Sequence, residues 1–154
     1  MSLASVETND GAQHMLIDTT FGEQEIDPAS TISFPNGLPG FENLNEFKLF
    51  HEEDKQSVYF LQSTADASVQ LPLVDPDMFQ VNYEITLSDE DLALLQLDNA
   101  EDATIMVTVA RHDGDLDGGI HANFMGPIIL NTKARIGMQK ALNQISGSVI
   151  IKAE

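Results

Sequence analysis

The sequence has no cysteine, which excludes disulfides and thiolate chemistry and leaves His, Asp and Glu as the side chains that could hold a metal. Long apolar runs are missing as well. Nothing approaches the roughly 20 residues that span a bilayer, and the N-terminus has neither the basic start nor the apolar stretch of a secretory signal. A soluble, cytoplasmic chain is expected. The third scarcity is positive charge: 7 Lys and Arg stand against 25 Asp and Glu, for a formal charge of -18. Such a field disfavours phosphate backbones and anionic lipid, so neither nucleic acid nor membrane is expected as a direct partner.

What charge there is lies unevenly. Residues 1–117 hold 24 of the acids against Lys48, Lys55 and Arg111, whereas residues 118–153 hold Lys133, Arg135, Lys140 and Lys152 and no acid. Part of the surface should therefore be strongly negative. It serves either as a solubility coat or as a docking face for a basic protein, because charge complementarity tunes encounter and partner choice. The 154 residues suit one domain that buries roughly 70% of the surface its unfolded chain exposes.

Residues 1–13, MSLASVETNDGAQ, are small and polar without periodicity; they read as a disordered leader, its first residues of the kind an expression vector adds, and residues 14–154 as a single β domain. HMLIDTTFGEQEID has the pattern of a hairpin turning at Gly22. FKLFHE, SVYFLQST, SVQLPLVDP, ATIMVTVAR, FMGPIILN and GSVIIK read as further short strands, ATIMVTVAR as a buried one. LSDEDLALLQL differs, with Ser88 in N-cap position, Asp91 three residues on and acids in the first turn; it predicts one short helix over 89–97. The fold class expected is mainly β, a small barrel-like arrangement of short antiparallel strands.

Residues 32–47 read ISFPNGLPGFENLNEF. Their glycines lack the spacing of a dinucleotide or phosphate loop, and no amphipathic helix follows. Pro35-Asn36-Gly37 and Pro39-Gly40 are turn formers instead, which predicts positive φ at the glycines and a corner that directs Phe34, Leu38 and Phe41 into the core. DGDLDGGI places Asp113, Asp115 and Asp117 at positions 1, 3 and 5 of a calcium loop. Position 12, however, is Phe124 where a bidentate Glu belongs, and the preceding segment reads as strand. These three are weak metal candidates in an acidic hairpin loop. His14, His51, His112 and His121 show no zinc-site spacing, and no nucleophile elbow is present. No catalytic residue and no cofactor is expected.

In the same residues the sequence resembles the flagellar assembly factor FliW family. The family pattern I-x-F-x-x-G-L-P-G-F-E is matched by Ile32, Phe34, Gly37, Leu38, Pro39, Gly40, Phe41 and Glu42. Thr20-Phe21-Gly22-Glu23 is similar to its first hairpin turn. Leu61-Gln62-Ser63, Asp75-Pro76 and Tyr83 match its L-Q-S, D-P and tyrosine; Asn123, Pro127, Ile129 and Asn131 match its N-L-x-A-P-I-V-I-N; Arg135, Gly137 and Gln139 match its R-x-G-x-Q. Phe124 and Gly126 stand where the family usually has Leu and Ala, and Lys140-Ala141-Leu142 where it has a more β-branched end.

The resemblance implies a cytoplasmic, barrel-like protein without catalytic activity that binds two protein partners. One is flagellin. The other is CsrA, a dimeric RNA-binding repressor of flagellin mRNA translation, which the FliW-like protein draws off the message until free flagellin recaptures it. Two alternatives follow from the residues: a β-barrel enzyme or calcium-dependent module using the Asp113, Asp115 and Asp117 loop, and an RNA mimic whose acids fill the RNA groove of CsrA. The residues that contact a partner are not legible at this level.

Overall fold

Short β-rich segments separated by turn formers must each bury one face against other elements, and one way is to curl into a common sheet. The computed structural model describes residues 3–5, 15–52, 55–79, 83–111 and 120–142, and in these the strands run β1 (Leu3–Ser5), β2 (Met15–Thr19), β3 (Gly22–Ile26), β4 (Ile32–Ser33), β5 (Glu46–Glu52), β6 (Lys55–Ser63), β7 (Gln70–Val74), β8 (Thr104–Arg111), β9 (Ile120–Ala122), β10 (Ile128–Asn131) and β11 (Ile136–Gln139). Helix α1 (Asp89–Leu95) lies between β7 and β8. The order β5-β4-β11-β10-β8-β7-β6, with β6 pairing back onto β5, closes a barrel of seven strands. Closure removes the unpaired edges that an open sheet would present.

One pairing departs from the antiparallel expectation. β11 and β4 meet in parallel through Ile136 and Ser33, and the Ser33 amide donates to the Arg135 carbonyl at 2.9 Å. The reason is parity: directions cannot alternate around an odd number of strands, so one neighbouring pair must be parallel. The stretch read as a leader also contributes, since Leu3–Ser5 pair with β5 beside His51. The strand expected over 147–152 and the Asp113, Asp115 and Asp117 loop lie outside the described residues.

The barrel interior is filled by Phe34, Leu38, Phe47, Leu61, Leu73, Met106, Ile128 and Leu130 with their neighbours. Phe34 and Phe47 meet edge to face, with centroids 5.2 Å apart. β8, expected to be buried throughout, buries Met106 and Val107 while Thr104 and Ala110 stay exposed, because only part of its outer face is covered. Outside the barrel, the β2–β3 hairpin lays Ile17 and Ile26 over Phe50, and Phe21 packs edge to face on Phe60. Under the adjoining turn Pro28–Ser30, the buried Lys48 donates to the Ser30 hydroxyl at 2.7 Å.

α1 begins as its sequence predicts: Ser88 Oγ accepts from the Asp91 amide, and the Asp91 carboxylate accepts from the Ser88 amide. It ends two residues earlier than predicted, where Gln96 turns left-handed with φ 57. Asp91 also receives Lys140 Nζ at 2.6 Å, which ties the helix to the end of β11. Burial pushes the Asp91 carboxyl up, but the Lys140 hydrogen bond and charge and the Ser88 donors outweigh it, and the net direction is down from the usual 3.8. A carboxyl lowered in the folded state contributes stability above its unfolded value, lost as pH falls through the folded one. Asp91→Asn is therefore expected to be less stable than the parent near neutrality, with the gap closing below about pH 4. Urea midpoints across pH check this; a gap independent of pH would show that the carboxylate charge is not what matters.

Candidate functional site

In the corner, Gly37 N donates to Phe34 O at 2.8 Å and Phe41 N to Leu38 O at 2.7 Å, making two successive turns. Gly37 and Gly40 have φ 65 and 87, as the turn chemistry predicts. Glu42 closes the second turn by accepting from the Gly40 amide at 2.6 Å. Asn45 donates to the Phe34 carbonyl. Phe34 and Leu38 are buried, but Phe41 is 39% exposed, contrary to the expectation that it enters the core: once Leu38 fills the interior, the second turn carries Phe41 outward beside exposed Pro39.

Gln62 is fully buried; its Nε2 donates to Ser63 O at 3.0 Å and faces the Asp66, Ala67 and Val69 carbonyls, while its Oε1 accepts from Gln70. Ser63 Oγ accepts from the Ala65 and Asp66 amides. The pair thus satisfies the β6–β7 connection. Asp75 caps the single-turn helix Pro76–Phe79 by accepting from Asp77 N, with Pro76 buried beneath it. Asn131 donates to the Leu95 and Gln96 carbonyls at the end of α1 and accepts from the Lys133 and Ala134 amides, so one side chain joins helix and β10–β11 turn. Gln139 donates to Gly126 O at 2.8 Å, Pro127 is buried and takes the Lys140 amide, and Asn123 accepts from Met125 N. At Gly137 a Cβ would lie 2.6 Å from the Phe34 ring. These residues build the barrel and its turns; they do not converge on a reacting atom.

Beside β10 and α1 lies a cleft of about 450 Å³ lined by Gln96, Asp98, Asp102, Thr132 and Lys133. It holds carboxylates and an ammonium without a paired nucleophile and base. Among the described residues no group of three or more His, Asp or Glu could hold a metal, and no helix is long and apolar enough to cross a membrane.

Exposed apolar side chains occur at Leu16 on the β2–β3 hairpin and at Phe41 in the corner, and at a third place they lie next to a cluster of rings. Phe124 contacts Phe79 and Tyr83 edge to face, with centroids 5.8 and 5.2 Å away, and Tyr83 donates its hydroxyl to the Phe124 carbonyl. Burial pushes the Tyr83 phenol up to about 12. Met78, next to Phe79 in the chain, is 54% exposed, and Met125, next to Phe124, is 39% exposed. Phe124, where the family usually has Leu, makes both of these ring contacts, whereas a Cβ at Gly126 would meet only the mobile ends of the Gln139 and Asn123 side chains, at 2.8 and 3.0 Å. Sequence reading missed Met78 and Met125; the available signal was a Met beside a Phe in two turn segments, Met78-Phe79 and Phe124-Met125.

Comparison with known proteins agrees with this architecture. The family model described as FliW protein matches residues 15–151. The flagellar assembly factor FliW of Azoarcus sp. (strain BH72) is 39% identical over 137 residues, covering 86% of this chain and 93% of that one. FliW 1 of Desulfotalea psychrophila is 38% identical over 112 residues, covering 72% and 79%. A crystal structure of the flagellar assembly factor FliW superposes with a TM-score of 0.77 at 27% identity, over 88% of this chain and 94% of that one. With the family model spanning most of the barrel and these relatives matched over most of their length, the chain belongs to the FliW family of flagellar assembly factors.

Proposed function

We propose that this chain works in the cytoplasm as a non-enzymatic flagellar assembly factor that binds a CsrA-type RNA-binding regulator, relieving repression of flagellin mRNA, and that binds flagellin as a chaperone-like alternative partner. The observation that carries the reading is the distribution of charge on a surface without catalytic convergence. Asp18, Glu23, Glu25, Glu42, Glu46, Asp66, Asp75, Asp77, Glu84, Asp89 and Glu90 are exposed, while Lys48 is buried and Lys140 is held by Asp91. Such a surface favours a basic protein and repels the nucleic acid that protein binds.

Association with the basic partner is steered by charges acting over a Debye length of about 10 Å at 0.1 M salt. A contact with an apolar region of flagellin responds less to salt. In a mixture of the three proteins analysed by size exclusion, raising the salt is expected to shift this chain from CsrA towards flagellin. Failure of CsrA to bind at either salt concentration, or of flagellin to displace it, overturns the partner switch.

A further inference from the structure

We propose that the Met78, Phe79, Tyr83, Phe124 and Met125 face is a docking surface for an apolar protein segment flanked by lysine or arginine; the proposal rests on the protein-binding reading above and adds a location to it. Three stretches of chain supply the face. Met78 and Phe79 come from the single turn after β7, Tyr83 from the approach to α1, and Phe124 with Met125 from the turn before β10. The ring contacts of Phe124 to Phe79 and Tyr83 join them. The turn is braced by Gln139 on Gly126 O and by the Leu142 amide on Met125 O at 2.8 Å. It is therefore a rigid support under adaptable thioethers, a combination suited to packing against an aliphatic side chain.

The neighbouring acids decide what occupies it. Asp75 and Asp77 precede Met78 in the chain, and Glu84 follows Tyr83; all three are exposed. Apolar residues with exposed carboxylates next to them in the chain favour an apolar segment that also carries cations. A second copy of this chain would match the apolar centre but bring its own net charge of -18 to the contact, so self-association is opposed by the charge that favours a basic partner.

The test uses the full chain and a labelled helical peptide with leucines on one face and lysines on the other, together with the same peptide carrying glutamates for the lysines. Fluorescence anisotropy is expected to show binding of the lysine peptide and none of the glutamate one. Met78→Ser with Met125→Ser should weaken the lysine peptide about tenfold and leave its salt dependence unchanged; Asp75→Asn with Asp77→Asn should mainly flatten the salt dependence. Both pairs are exposed, and matched melting curves confirm that the variants fold. Unchanged affinity in the double serine variant overturns the location, and a dimer that the serine variant dissolves assigns the face to a second copy instead. CsrA binding, measured on the same proteins, separates the two claims: binding that survives both variants removes this face but leaves the partner switch standing, and no binding to the parent removes the partner switch while the peptide still decides the face.

Discussion

Gly37→Val is expected to destabilise the protein by about 3 kcal/mol or more, and Gly40→Val by about 1 to 2 kcal/mol, although both glycines have positive φ. The left-handed region strains a β-branched residue at either site. The difference is space. A Cβ on Gly37 would sit 2.7 Å from Glu42 Cα and 2.8 Å from the Phe41 and Glu42 carbonyl oxygens, all backbone atoms that cannot turn aside, whereas a Cβ on Gly40 meets nothing within 4 Å. Relief at Gly37 would require opening the second turn, and with it the placement of Leu38 in the core. Urea denaturation of both variants measures the effect. Equal losses would show that crowding at Gly37 is absorbed by a small shift, and an unchanged Gly40→Val protein would remove the left-handed assignment there.

Phe34→Ala is expected to cost about 3 to 5 kcal/mol, since the ring is fully buried against Phe47 and the space it leaves cannot collapse between fixed strands. That is a large part of the 5 to 15 kcal/mol typical of a domain. Gly137→Ala adds a methyl to the other side of the same ring, 2.6 Å from its edge and 2.8 Å from Leu130, and should cost about 1 to 3 kcal/mol. The two losses should not add. With the ring gone the methyl enters vacated space, so the double variant is expected to be more stable than the sum by about 1 kcal/mol or more. Additive losses would mean that Phe34 does not close on Gly137.

Helix α1 and the corner show what local chemistry makes legible. The capping box needs only Ser88 and Asp91 three residues apart, and the glycine turns need only residues tolerant of positive φ; both are short-range rules that hold wherever the segment ends up. Strand β11 was not legible by pattern, because Ile136–Gln139 is short, holds a buried glycine and a half-buried glutamine, and is a strand only because β10 and β4 lie on either side of it. The outward course of Phe41 was missed for a related reason: an aromatic in an apolar run is assigned to the core unless the interior is known to be already full. The acidic calcium-like loop remains an expectation from spacing alone.

The sequence by itself determined the class of the protein: many short strand-forming segments, one capped helix, two glycine turns and an acidic excess, together with an ordered motif series that names a family. Each of these depends on residues near one another in the chain or on summed composition. Only the tertiary structure decided that seven strands close with one parallel pair, that Asn131 is spent on backbone groups and Gln62 on backbone and Gln70, and that Phe124 meets both Phe79 and Tyr83 while Met78 and Met125 stand exposed. Those outcomes depend on which distant segments compete for a limited interior, and no local pattern carries that information.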